Sequence, residues 1–102
     1  MANSEFIEWL KVFCRGRPEI KRAILFGSFA RNDNGPASDI DLAFELSDDS
    51  AWGAIALEIR SNAKTLRGLD LINLGGASGE LKQRIQEEGV TLFERKKNKT
   101  KR

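Results

Sequence analysis

The sequence predicts an α+β domain, a small fold in which helices alternate with strands. Three observations predict it. Residues 20–26, IKRAILF, end in an apolar run of strand-forming residues. Residues 39–46, DIDLAFEL, alternate: Ile40, Leu42, Phe44 and Leu46 fall on one face, and Asp39, Asp41, Ala43 and Glu45 on the other. Segments with helical spacing lie before, between and after the strands.

Taken in order, Asn3 or Ser4 caps a first helix over roughly residues 4–14, where Phe6, Leu10 and Phe13 share one face. Gly16 and Pro18 end it. Strand 20–26 follows. Gly27-Ser28 turns the chain into a short helical piece over 28–32. Residues 32–38, NDNGPAS, are a loop by composition, with Asn34-Gly35-Pro36 as its turn. Strand 39–46 has a core side and a functional or solvated side. After Ser47-Asp48-Asp49-Ser50, a helix over roughly 51–66 turns Trp52, Ile55, Ile59 and Ala63 inward, and Arg67-Gly68 stops it. LDLINL, 69–74, is a third strand. Residues 75–79 are a flexible loop whose Ser78 caps a last helix near 80–88, carrying Leu81 and Ile85 and ended by Gly89. VTLF, 90–93, reads either as a short terminal strand or as an apolar anchor. A single domain over 1–94 with a basic, disordered tail over 95–102 is the expected division.

Composition narrows the possible functions. The chain has 102 residues, 40% hydrophobic and 31% charged, enough for one domain with a modest core. Its formal charge of +2 is unevenly placed. The segment RKKNKTKR, 95–102, holds six of the 17 basic residues, leaving a slightly acidic body. There is no histidine, which excludes imidazole bases and His-based triads or zinc sites, and there is no tyrosine. The lone Cys14 cannot form an intramolecular disulfide and fits the apolar side of the first helix as a core residue. No apolar run approaches a membrane span, and Glu5 and Glu8 argue against a signal peptide. These features favour the cytoplasm.

The segment Gly27 to Leu42, GSFARNDNGPASDIDL, carries the chemistry. Asp39 and Asp41 are alternate residues of a strand, so their carboxylates stand side by side, with Cα atoms about 6.5–7 Å apart. Paired carboxylates suit Mg²⁺, which takes hard oxygen ligands and shares them with substrate phosphates. Two such ions about 3.5–4 Å apart serve in-line phosphoryl or nucleotidyl transfer. Asp70 is the natural third carboxylate, provided its strand lies beside DIDLAFEL. It can complete an ion's shell and accept the attacking hydroxyl's proton. Gly27 admits a phosphate close to the backbone, and Ser28 offers a hydroxyl and an N–H at a helix start. Arg31, one turn on, either braces the loop or meets a phosphate. Each element alone has a plainer reading, as a turn, a solvated face or a salt-bridge partner. Their joint order and spacing favour a site.

Gly27-Ser28-Phe29-Ala30-Arg31, then Ser38-Asp39-Ile40-Asp41-Leu42, then Asp70, resembles the signature of the DNA polymerase beta-like nucleotidyltransferase superfamily. The likeness is closest to its small prokaryotic members, the minimal nucleotidyltransferases (MNT). The resemblance implies a mixed β-sheet with helices mainly on one side, the palm-like nucleotidyltransferase fold. It implies that Gly27 and Ser28, with Arg31 beside them, bind the triphosphate of a nucleotide. It implies that Asp39 and Asp41 bind two Mg²⁺ and that Asp70 completes the triad. One position departs from the pattern: Asn32 stands where the family usually has glycine. Asparagine tolerates left-handed backbone geometry better than most residues.

The chain spends nearly all its length on this core, so acceptor binding falls to a partner protein or a second copy. Minimal nucleotidyltransferases are commonly paired with a small helical protein of the HEPN class in toxin–antitoxin modules, whose MntA-type antitoxin transfers AMP from ATP to a tyrosine of the toxin. The resemblance therefore implies protein AMPylation. Two alternatives stand beside it: a non-catalytic module that neutralises a partner by binding, and a small-molecule nucleotidyltransferase with a separate acceptor subunit. Nucleic acid enters only through the basic tail.

Overall fold

A computed structural model describes residues 2–33, 35, 38–63, 65 and 67–95. Its elements run α1 (Ala2–Arg15), β1 (Ile20–Phe26), α2 (Ser28–Arg31), β2 (Ile40–Leu46), α3 (Trp52–Asn62), β3 (Leu69–Asn73), α4 (Gly79–Glu88) and β4 (Val90–Glu94). Short 3₁₀ turns at Asp49–Ala51 and Leu74–Gly76 lead out of β2 and β3.

The strands form one sheet in the order β3-β2-β1-β4. β1 pairs antiparallel with β2 and with β4, and β2 pairs parallel with β3. The sheet is therefore mixed, as expected. A parallel neighbour needs a crossover, and α3 supplies it between β2 and β3. VTLF proves to be a strand: β4 closes the open edge of β1, with Leu25 opposite Val90 and Ala23 opposite Phe93.

Alternation divides the sheet into two faces. One presents Ala23, Leu25, Ile40, Leu42, Phe44 and Leu46 to α1 and α3, with Phe6, Leu10, Cys14, Ile55 and Ile59 buried against them. This is the main core, and truncating Phe44 or Leu10 to alanine would cost about 3–5 kcal/mol. The other face carries Ile24, Phe26 and Ala43, covered by Ile85 of α4. Two long helices thus lie on one side and α4 on the other. α4 covers only part of its face, and the uncovered part carries Asp41 and Asp70.

Several local expectations are revised. α1 begins at Ala2, so Asn3 and Ser4 lie inside the helix rather than capping it. Phe13 is only partly buried, and Cys14 completes the inward stripe. Burial pushes the Cys14 thiol up to about 12, against the opposing field of Arg95, and leaves an inert apolar group. α3 ends at Asn62, and the segment before it is a 3₁₀ turn whose start is capped by the Asp48 side chain on the Ser50 N–H at 3.0 Å. Ser78 caps α4 as expected, accepting from the Leu81 N–H at 3.1 Å. Asn34 and Pro36 of the expected turn and residues 96–102 of the basic tail fall outside the described residues.

Arg95, grouped with the tail by composition, is held by the folded body. Its guanidinium donates to the carbonyls of Cys14 at 2.8 Å, Arg17 at 2.9 Å and Ile20 at 3.0 Å. These carbonyls lie at and just beyond the C-terminal end of α1, where a cation is favoured. No helix among the described residues is long and apolar enough to cross a membrane.

Candidate active site

The register of the sheet assembles the predicted residues. Phe26, the last residue of β1, is opposite Asp41, which sets the Gly27-Ser28 turn beside the start of β2. On the other flank of β2, Asp41 is level with Asp70 in the parallel ladder. Neighbouring strands are about 4.8 Å apart, and residues level with each other point to the same face, so the two carboxylates meet.

Asp41 is half-buried, whereas Asp39 and Asp70 are exposed. β3 is an edge strand, so Asp70, though flanked by apolar residues in sequence, stands on an open face. Burial raises the Asp41 carboxyl above its usual range, and the charge and hydrogen bond of Asp70 and the charge of Asp39 add to the rise. Arg84 of α4 acts the other way. Like charges are thus concentrated on Asp41 from two neighbours.

Two glycines let these carboxylates come so near the backbone. Gly27 is buried and adopts φ 77°, a region that favours glycine. A methyl group there would overlap the Asp41 carboxylate. Gly68, just before β3, plays the same part for Asp39, whose Oδ1 stands 2.5 Å from where a Cβ would be. The Ile40 N–H donates to the Gly68 carbonyl at 2.9 Å, which fixes the start of β2 against this spot. Arg67 holds the approach to Asp39. Its Nη1 donates to the carbonyls of Gly35 at 3.2 Å and Ser38 at 3.1 Å, and its guanidinium lies 4.9 Å from the centre of the Phe29 ring.

The turn behaves partly as expected. Ser28 opens α2, but α2 has only four residues, so its dipole is slight and any anion must rely on individual N–H and O–H groups. Asn32 ends α2 with φ 66° and ψ 30°, the left-handed geometry that the usual glycine would supply. Arg31 points to internal partners, donating to Asp33 Oδ2 at 3.1 Å and to Glu88 Oε1 at 2.8 Å. Glu88 also accepts the Gly27 N–H at 3.2 Å.

The donor set fits a hard divalent cation in one respect and limits it in another. Asp39 and Asp70 flank Asp41, and a cation there would relieve the repulsion of the three carboxylates. Among the described residues, however, no three such side chains close on one point as a ready-made cage. Asp39 leans to Gly68 and Asp41 to Gly27. This suits Mg²⁺, which binds through one or two carboxylates and lets substrate phosphates and water complete its shell. A cavity of about 440 Å³ beside α4, lined by Arg22, Glu45, Asp49, Lys82 and others, includes none of the predicted site residues.

The site also contains residues that the sequence reading passed over. Gly68 and Arg67 counted only as a helix stop, and Glu88 and Arg84 were not singled out. A Gly placed immediately before an Asp-bearing strand was a usable signal for Gly68. Nothing local marked Glu88.

Comparison with known proteins agrees with this geometry. Residues 8–98 match the family described as Polymerase beta, Nucleotidyltransferase. The chain is 31% identical over 75 residues to the Methanocaldococcus jannaschii protein named "Putative protein adenylyltransferase MJ0435", spanning 72% of this chain and 81% of that one. It is similar to a solved chain of a toxin–antitoxin complex with AMP-PNP, at TM-score 0.67 and 25% identity, over 91% of this chain and 74% of the other. It also shares its fold with a chain in the complex of tri-AMPylated Shewanella oneidensis HEPN toxin with MNT antitoxin, at TM-score 0.62 and 22% identity, over 93% and 74% of the two chains. The fold and the family are those of an enzyme that transfers nucleotidyl groups. The chain belongs to the polymerase beta nucleotidyltransferase family.

Proposed function

We propose that this nucleotidyltransferase moves AMP from ATP to a hydroxyl of a partner protein of HEPN type. The observation that carries the reading is the alignment of Asp41 with Asp70 across the parallel β2–β3 ladder, with the Gly27-Ser28 turn on the other side of Asp41. Asp39, Asp41 and Asp70 are the residues that would hold Mg²⁺. Bound there, the ions would neutralise charge on the attacking and leaving oxygens.

The chain's own residues do the rest. Gly27 leaves room for a phosphate beside Asp41. Ser28 offers its hydroxyl and N–H to phosphate oxygens, and Arg31 stands one turn behind. Asp70, exposed on the edge strand, is open to an arriving acceptor hydroxyl and can take its proton. The acceptor oxygen then attacks the α-phosphorus in line, and pyrophosphate leaves. The openness of β3 supports an acceptor brought by another molecule. The names of the similar proteins, a protein adenylyltransferase and an MNT antitoxin bound to an AMPylated HEPN toxin, support the adenylyl group and the partner class.

Incubation of the chain with labelled ATP, Mg²⁺ and the product of the neighbouring gene tests the reading. Label should pass to the partner with wild-type chain and not with Asp41→Asn. A bound pair that shows no transfer would sink the AMPylation reading. Neutralisation of the partner by Asp41→Asn would favour the binding-module alternative.

A further inference from the structure

We infer that Glu88, at the last turn of α4, is a positioning residue for nucleotide binding, fixing the Gly27–Arg31 turn in the form that receives the phosphates. The inference rests on the proposed role of that turn. Glu88 lies 61 residues from Gly27, yet its Oε1 accepts from two parts of the turn at once, the Gly27 N–H at 3.2 Å and Arg31 Nη1 at 2.8 Å. Its Oε2 stands 3.5 Å from Arg84 Nε. Both carboxylate oxygens are thus engaged.

Glu88 is poorly suited to its own helix. A carboxylate at a helix C-terminus opposes the dipole, and the last turn of α4 has no basic residue. The partners that offset this are Arg84, one turn back on α4, and Gly27 and Arg31, just past β1 and in α2. Burial opposes ionisation of Glu88, but the hydrogen bonds from Arg31 and Gly27 and the charges of Arg31 and Arg84 outweigh it and hold the carboxyl below its usual range.

The mounting is rigid. Gly89 follows at once, and a Cβ there would come within 2.5 Å of Ile24 Cγ2 in β1. Val90 then pairs with Leu25. Glu88 therefore stands on a segment pressed against the strand that leads into Gly27, which is the mounting of a brace and not of a swinging arm. Two consequences follow for the turn. The Gly27 N–H is already occupied, so Ser28 supplies the first free groups toward a phosphate. Arg31 is held through Nε and Nη1, to Asp33 and Glu88, which sets the direction of its Nη2 edge.

The test is calorimetric titration of the full chain with a non-hydrolysable ATP analogue and Mg²⁺, with thermal melts in parallel. Glu88→Ala should weaken binding roughly tenfold while the protein stays folded, and Glu88→Gln, which keeps an acceptor in place, should recover most of the loss. If Glu88→Ala is unfolded at the assay temperature, Glu88→Asp carries the test, because it keeps the charge but withdraws the carboxylate by one methylene, and it should also weaken binding. Unchanged binding by folded Glu88→Ala, or Glu88→Gln as weak as Glu88→Ala, overturns the inference. Tighter binding by Glu88→Ala overturns it too, and marks Glu88 as a competitor of the phosphates. Wild-type binding in the same titration separates these results from failure of the site itself: if wild type binds no nucleotide, both readings fall together.

Discussion

The Asp41 carboxylate occupies the space that a side chain at Gly27 would need. The relationship joins the end of β1 to the start of β2, and it makes the Gly27-Ser28 turn and the carboxylate face one structure. A substitution at either residue is felt by the other.

Gly27→Ala should therefore fail in two ways. The φ of 77° strains any L-residue, and the new methyl group displaces Asp41. A loss of about 2 kcal/mol in stability is expected. Nucleotide binding should disappear even at temperatures where the variant remains folded, as calorimetry on the purified protein would reveal.

Asp41→Asn should separate stability from activity. The folded-state pKa of Asp41 is raised, so the proton is held more tightly in the folded chain than in the unfolded one. Stability from this group is present below the unfolded pKa and is lost as pH rises through the folded pKa. At neutral pH the ionised Asp41 is a liability, and its amide should melt higher than wild type while transferring no nucleotide. Melting curves from pH 4 to pH 8 should converge at the acid end and part at the neutral end. Mg²⁺ should raise the wild-type melting temperature and leave the variant's nearly unmoved.

Gly68→Ala tests the seat of Asp39. The obstructing atoms are the far end of a flexible side chain, so the fold can accommodate the methyl group by moving the carboxylate. Stability should change by about 0.5 kcal/mol or less. If Asp39 holds the metal as proposed, transfer should fall roughly tenfold, because displacing such a carboxylate is costly even when the fold is intact. A large drop in melting temperature with normal turnover of the folded fraction would contradict this.

Arg95→Ala tests the opposite kind of residue. Losing three charge-assisted bonds to the carbonyls around the end of α1 should cost about 2–3 kcal/mol. The melting temperature should fall on the order of 10 °C. Nucleotide affinity of the folded protein should not change, because Arg95 braces α1 and β1 and is not among the residues assigned to the nucleotide.

What the sequence disclosed follows from the range of the forces involved. Period-two alternation displays which of Ile40 to Leu46 are buried, and the same alternation puts Asp39 and Asp41 on one face. Ser78 was visible as a cap because capping is a three-residue affair. Asn32 was readable as left-handed because few other side chains accept that geometry. The partnership of Asp41 with Asp70 needed the order of strands, which no local spacing contains. The engagements of Glu88, Gly68 and Arg95 are long-range contacts of ordinary residue types, and their neighbours in sequence gave no sign of them. Helix α3 was overextended because Ala63 continued its inward stripe, whereas the chain turns extended at that residue.

The sheet order also has a bearing on synthesis. The strand that leads into the Gly-Ser turn, β1, lies between β2 and β4, and β4 is made after the other three. Glu88 and Arg95 belong to the same late segment. A ribosome that has already released Asp39, Asp41 and Asp70 still holds back the strand that closes β1 and the carboxylate that ties down Gly27. The Gly27 turn is thus tied down only after Asp39, Asp41 and Asp70 have been made, and the nascent chain carries the three aspartates of the proposed site before the turn beside them is fixed.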